Sequence, residues 1–87
     1  MEIQFTDTAL NQLTKIAKSN IQEAKRIKEK IVKYSENPHG RYDIKHLKGG
    51  FGDLIRLRVG DYRVIFQIEN NIMTIASIKH RQGAYND

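Results

Sequence analysis

The sequence predicts an α+β domain of order β-α-α-β-β-β, with a helix hairpin packed on one face of a small, mainly antiparallel sheet. Three observations carry this expectation. Apolar residues recur at helical spacing between Ala9 and Tyr34. The run from Ile55 to Phe66 alternates with period two on both sides of Gly60-Asp61, and a further apolar strand pattern follows Asn70-Asn71.

Glu2-Ile3-Gln4-Phe5 alternates and reads as the first strand. Thr6 stands where it can cap a helix, with Asp7 in the first turn against the helix dipole. Phe5 and Leu10 have the spacing of a hydrophobic staple. Ala9, Leu10, Leu13, Ile16 and Ala17 then form a helical stripe. Ser19-Asn20 divides it from a second helix, because Asn20 and Glu23 have capping-box spacing. Ile21, Ala24, Ile27, Ile31 and Tyr34 mark the buried side of that helix; its lysines and Arg26 read as a solvated face. Pro38 ends it, since the residue before a proline is pushed out of helical geometry.

Residues 41–52 read as a loop-rich connection containing Gly49-Gly50. The glycine pair lacks the spacing and the terminal Lys-Ser/Thr of a P-loop, so a turn is expected there. In the hairpin that follows, Ile55, Leu57 and Val59 share one face and Arg56 and Arg58 the other. On its second arm Tyr62, Val64 and Phe66 share a face, and Arg63 lies opposite them. Asn70-Asn71 suits a tight turn into a last strand over 72–79, apolar on both faces.

Eighty-seven residues make one domain, spanning 1–87, with a small core. Fifteen Lys+Arg against ten Asp+Glu give a formal charge of +5, which favours a polyanionic or acidic partner. Cysteine is absent, which fits a reducing cytoplasm and excludes thiolate metal sites. No signal-peptide pattern opens the chain and no apolar run approaches the ~20 residues of a membrane span, so a soluble cytoplasmic protein is expected. His39, His46 and His80 have no zinc spacing, and Asp43, Asp53, Asp61 and Glu69 do not converge in sequence. What remains is a basic strand face with a terminal Lys79-His80-Arg81 and Tyr85. Guanidinium forks match phosphate oxygens and a tyrosine ring stacks on an unpaired base.

Leu47-Lys48-Gly49, the run Ile55 to Phe66 with its Gly-Asp-Tyr-Arg turn, and the terminal His80-Arg81 and Tyr85 together resemble the RelE/ParE superfamily of bacterial and archaeal toxins, with the RelE branch nearer. The resemblance covers nearly the whole chain. It implies the RelE-like microbial ribonuclease fold and the toxin of a type II toxin–antitoxin pair, an mRNA interferase that acts without metal or small-molecule cofactor. The implied partners are a cognate antitoxin, mRNA and the ribosome. Arg63 and Arg81 would hold the scissile phosphate, Tyr85 would stack on or orient the base, and Lys48, Arg56, Arg58 and Lys79 would bind the RNA backbone. Leu54 stands where some relatives carry a second basic residue, which leaves the general base open. His80 is a catalytic candidate for it, since imidazole titrates near neutral pH, although its strand parity opposes that of Arg81. A ParE-like toxin that inhibits DNA gyrase by binding is the alternative.

Overall fold

The computed structural model describes residues 1–47 and 54–81. Strand β1 (Glu2–Phe5) leads into helices α1 (Asp7–Ser19) and α2 (Ile21–Glu36), followed by β2 (Ile44–Leu47), β3 (Leu54–Val59), β4 (Tyr62–Glu69) and β5 (Ile72–His80). The sheet order is β1-β5-β4-β3-β2; β1 runs parallel to β5 and every other neighbouring pair is antiparallel. This is the expected α+β class, with one strand added. Ile44–Leu47, in the segment read as a loop, pairs antiparallel with β3. Four residues with Lys45 and His46 in the middle carry little strand signal of their own; pairing with β3 makes them a short polar edge strand.

Asn20 divides the helices. Its backbone N–H donates to the Ile16 carbonyl at 2.7 Å, closing α1, while its side chain accepts from Glu23 N at 3.2 Å, opening α2. Ala9, Ile16, Ile27 and Ile31 meet Leu57, Val64, Phe66, Met73, Ile75 and Ile78 in one core. Leu10 and Ile21 depart from the expected stripes: each is 51% exposed and lies at the surface of the hairpin. Tyr34 packs edge-on against Phe66 and Tyr42, at ring separations of 5.1 and 5.0 Å. Burial, with a smaller contribution from the Tyr42 phenol, pushes the Tyr34 hydroxyl above its ordinary value.

Turn chemistry is as anticipated. Gly60 takes φ +59°, while Asn70 and Asn71 take φ 53° and 62°, left-handed angles that asparagine tolerates and a two-residue hairpin turn requires.

A bulge in β5 decides what the sheet presents. Ile65 pairs with Ser77, but the next residue, Phe66, pairs with Ile75, leaving Ala76 without a partner on β4. One extra residue reverses the inside–outside alternation. Met73 and Ile75 point into the core before the bulge, and Ile78 does so after it. Lys79 is thereby turned to the face away from the helices. Helix α1 holds this irregular segment: the Thr6 backbone N–H donates to the Ile75 carbonyl at 3.0 Å, and the Gln12 side-chain oxygen accepts from Ile78 N at 2.6 Å. The Thr6 hydroxyl accepts from Ala9 N at 3.1 Å and donates to the Ala76 carbonyl at 3.0 Å. Thr6→Ala therefore removes a helix cap and a bulge contact together, and should cost about 1–2 kcal/mol. Urea unfolding of that variant beside Thr8→Ala, on the exposed first turn, would measure it; equal midpoints would refute the double role.

Tyr42 connects α2 to the sheet. Its hydroxyl lies 3.1 Å from the Lys33 carbonyl and 2.7 Å from that of Asn37, at the C-terminal end of α2. Gly40 leaves room for the ring, since a Cβ there would come within 3.1 Å of it. The residue after Tyr42, Asp43, accepts a backbone hydrogen bond from Arg58 N at 2.9 Å.

Candidate functional site

The sheet face away from the helices gathers the cations. Arg58 on β3 lies directly opposite Arg63 on β4, and Arg63 directly opposite Lys79 on β5. In the next row Lys45 of β2 faces Arg56 of β3, which faces Ile65 of β4. Lys79 and Arg58 are exposed, while Arg56 and Arg63 are half-sunk in the sheet surface. Directly opposed side chains start from Cβ atoms about 5 Å apart. Like charges placed directly opposite one another across strands are destabilising. Folding alone would favour neutral or alternating residues here. A row of three like charges fixed on rigid strands can bind an anion.

Arg81 joins at the turn end of the sheet. Its backbone N–H donates to the Asp61 carbonyl at 2.6 Å, and its guanidinium sits 3.8 Å from the Asp61 carboxylate. The β3–β4 turn thus positions Arg81 beside the row. Asp43 engages the other end: its carboxylate accepts a hydrogen bond from Arg56 Nη2 at 3.2 Å and lies 3.9 Å from Arg58 Nη1.

Of the site residues expected from the sequence, Arg56, Arg58, Arg63 and Lys79 therefore share one face, with Arg81 at its end. His80 does not join them. It pairs with Tyr62 on the side facing α1, with the rings perpendicular at 5.0 Å, and lines a cleft of about 240 Å³ with Gln12, Lys15 and Ser19. Lys48 and Tyr85 lie outside the described residues. Lys45 and Asp43 were not anticipated, because both reach this face only through the pairing of β2 with β3. Among the described residues no three His, Asp or Glu side chains gather as a metal site, and no helix is long and apolar enough to cross a membrane.

Comparison with known proteins fixes the family. The model of the ParE toxin of parDE type II toxin–antitoxin systems matches residues 3–85. The chain belongs to this family. As a ParE-family toxin it also falls in the RelE/ParE superfamily indicated by its sequence motifs. Solved structures share its fold: a YoeB dimer from Staphylococcus aureus superposes with TM-score 0.77 at 20% identity, over 92% of this chain and 95% of that one. The archaeal RelE–RelB complex from Pyrococcus horikoshii OT3 contains a chain 27% identical to the toxin, with TM-score 0.69 and coverage of 95% and 97%. A RelB–RelE antitoxin–toxin complex from Methanococcus jannaschii gives 26% identity and TM-score 0.73, over 91% of each chain. No curated protein matches the toxin.

Proposed function

We propose that this toxin is an endoribonuclease of the RelE type, cleaving mRNA on the ribosome and held inactive by a cognate antitoxin. The observation that carries the reading is the row Arg58, Arg63 and Lys79, with Arg56 beside it and Arg81 at its end. Forked guanidinium groups bind phosphate oxygens in pairs, and rigid strands fix their spacing before substrate arrives. The ribose 2′-oxygen attacks the neighbouring phosphorus, forming the O2′–P bond, and the P–O5′ bond breaks. A 2′,3′-cyclic phosphate and a 5′-hydroxyl result, with the 2′ proton lost to a base and a proton gained by the departing 5′ oxygen. Arg63 and Arg81 would bind the phosphate oxygens most strongly when charge builds on them in the transition state. Nothing in this scheme calls for a metal ion.

The antitoxin expectation draws on the other side of the molecule. A groove of about 420 Å³ between α1 and α2 is lined by Leu13, Ala17, Ile21 and Ala24, with Lys25 and Lys28 also lining it. An amphipathic helix with an acidic border fits such a groove. Crystal structures with the same fold include YoeB–YefM toxin–antitoxin and RelB–RelE antitoxin–toxin complexes.

The match to the ParE toxin family supports a second reading, the alternative implied by the sequence resemblance: a toxin that binds DNA gyrase and cleaves nothing. Incubation with translating ribosomes, followed by mapping of mRNA 5′ ends, separates the two. New 5′ ends inside coding sequence are expected. Intact messages together with lost gyrase supercoiling would transfer the function to the second reading.

A further inference from the structure

Asp43 places a carboxylate inside the cationic face. It accepts from Arg56 Nη2 at 3.2 Å and stands 3.9 Å from Arg58 Nη1, so one side chain bridges two neighbouring guanidinium groups. The three differ in exposure: the Arg56 side chain is 14% exposed, Arg58 39% and Asp43 56%. Arg56 cannot shed its charge, and a partly desolvated guanidinium is costly without an anion nearby. Asp43, in contrast, is free to turn outward. Its backbone is pinned by the hydrogen bond from Arg58 N and by the Tyr42 contact with α2, so only the side chain has to move.

We infer that Asp43 is an internal competitor for a phosphate subsite formed by Arg56 and Arg58, occupying it when no polynucleotide is bound. The inference rests on the reading of this face as an RNA-backbone surface, and deepens it by naming the residue that sets affinity there. A phosphate seated on Arg56 Nη2 must take the place of the carboxylate or lie against it. The Asp43 carboxylate is more than half exposed, and an incoming phosphate would keep the Arg56 guanidinium paired with an anion, so one anion can replace the other. A carboxylate that stayed beside the phosphate would instead weaken binding by like-charge repulsion. Either way, removal of its charge strengthens binding of a polyanion.

The test compares Asp43→Asn with the intact toxin and with Glu69→Gln. Glu69 ends β4, four residues along the strand from Ile65, which lies opposite Arg56, hence about 13 Å from that pair and beyond a Debye length of ~10 Å at 0.1 M salt. Both variants lose one negative charge, but only Asp43→Asn loses it at the arginine pair. The probe is a fully 2′-deoxy single-stranded oligonucleotide, which cannot undergo 2′-oxygen attack. Affinity is measured from 50 to 300 mM salt, with melting curves to confirm folding. Asp43→Asn should bind about fivefold tighter at low salt, with a salt slope steeper by roughly 0.7, one more phosphate engaged. Glu69→Gln should stay within twofold of the intact toxin. Equal tightening by both variants would reduce Asp43 to its contribution to net charge, and unchanged or weaker binding by a folded Asp43→Asn would make it a structural partner of Arg56. Failure of all three proteins to bind at 50 mM salt would remove the subsite. Ribonuclease activity is judged separately on ribosomes, so a toxin that binds the probe but leaves mRNA whole would refute the proposed function without touching the competitor.

Discussion

Arg63→Ala should cleave at least a hundredfold more slowly than the intact toxin in single turnover, while folding and binding uncleaved RNA nearly as well. Arg63 occupies the centre of the cationic row, between Arg58 and Lys79, on the face opposite Val64 and Phe66. Its truncation leaves the packed side of β4 intact and relieves repulsion within the row, so stability should change by no more than about 1 kcal/mol. Rate is another matter. A guanidinium aimed at charge that accumulates only as the phosphorus becomes five-coordinate is worth on the order of 3 kcal/mol of activation free energy. RNA affinity should fall far less, because Arg56, Arg58 and Lys79 still attract the backbone. Arg26→Ala is the control: that side chain is exposed on α2 and its ion pair with Glu23 is long, at 3.5 Å. Small and equal losses for the two variants would make Arg63 one more surface charge, and the gyrase-binding reading would gain.

The second large effect concerns stability. Phe66→Ala is expected to cost about 3–5 kcal/mol, as full truncation of a buried aromatic does when its surroundings cannot collapse. Phe66 is fully buried in the middle strand of the sheet and meets the edge of Tyr34. A domain of this length has a total stability of roughly 4–13 kcal/mol, so the loss takes a large share of it. The melting temperature should drop by at least about 15 °C. Phe66→Leu, which keeps most of the volume, should lose less than half as much. Calorimetry of the two variants would decide; a fall of under 5 °C for Phe66→Ala would mean that the α2–sheet core repacks, contrary to the close packing described above. Both predictions turn on adjacent strand positions facing opposite ways: Phe66 supports the scaffold, and Arg63 uses the surface the scaffold holds still.

The cation row and the core had different legibility in the sequence. Period-two alternation on each side of Gly60-Asp61 determined that Arg56, Arg58 and Arg63 oppose Leu57, Val64 and Phe66, because in a pleated strand neighbouring side chains cannot share a face. Thr6 and Asn20 were readable as caps because a helix start leaves backbone donors that only a few side chains satisfy. The motifs around these residues carried the family as well. Tertiary structure alone decided three things. Ile44–Leu47 became a strand through pairing with β3, and that pairing delivered Lys45 and Asp43 to the arginines. Leu10 and Ile21, in phase with their helical stripes, were left at the surface, because periodicity defines a stripe but not how far the neighbouring element reaches across it. Lys79 faces Arg63, and His80 faces α1, because Ala76 forms a bulge that resets the alternation of β5. Strand parity is a local rule that one unpaired residue reverses, and only the register against β4 records where that residue is.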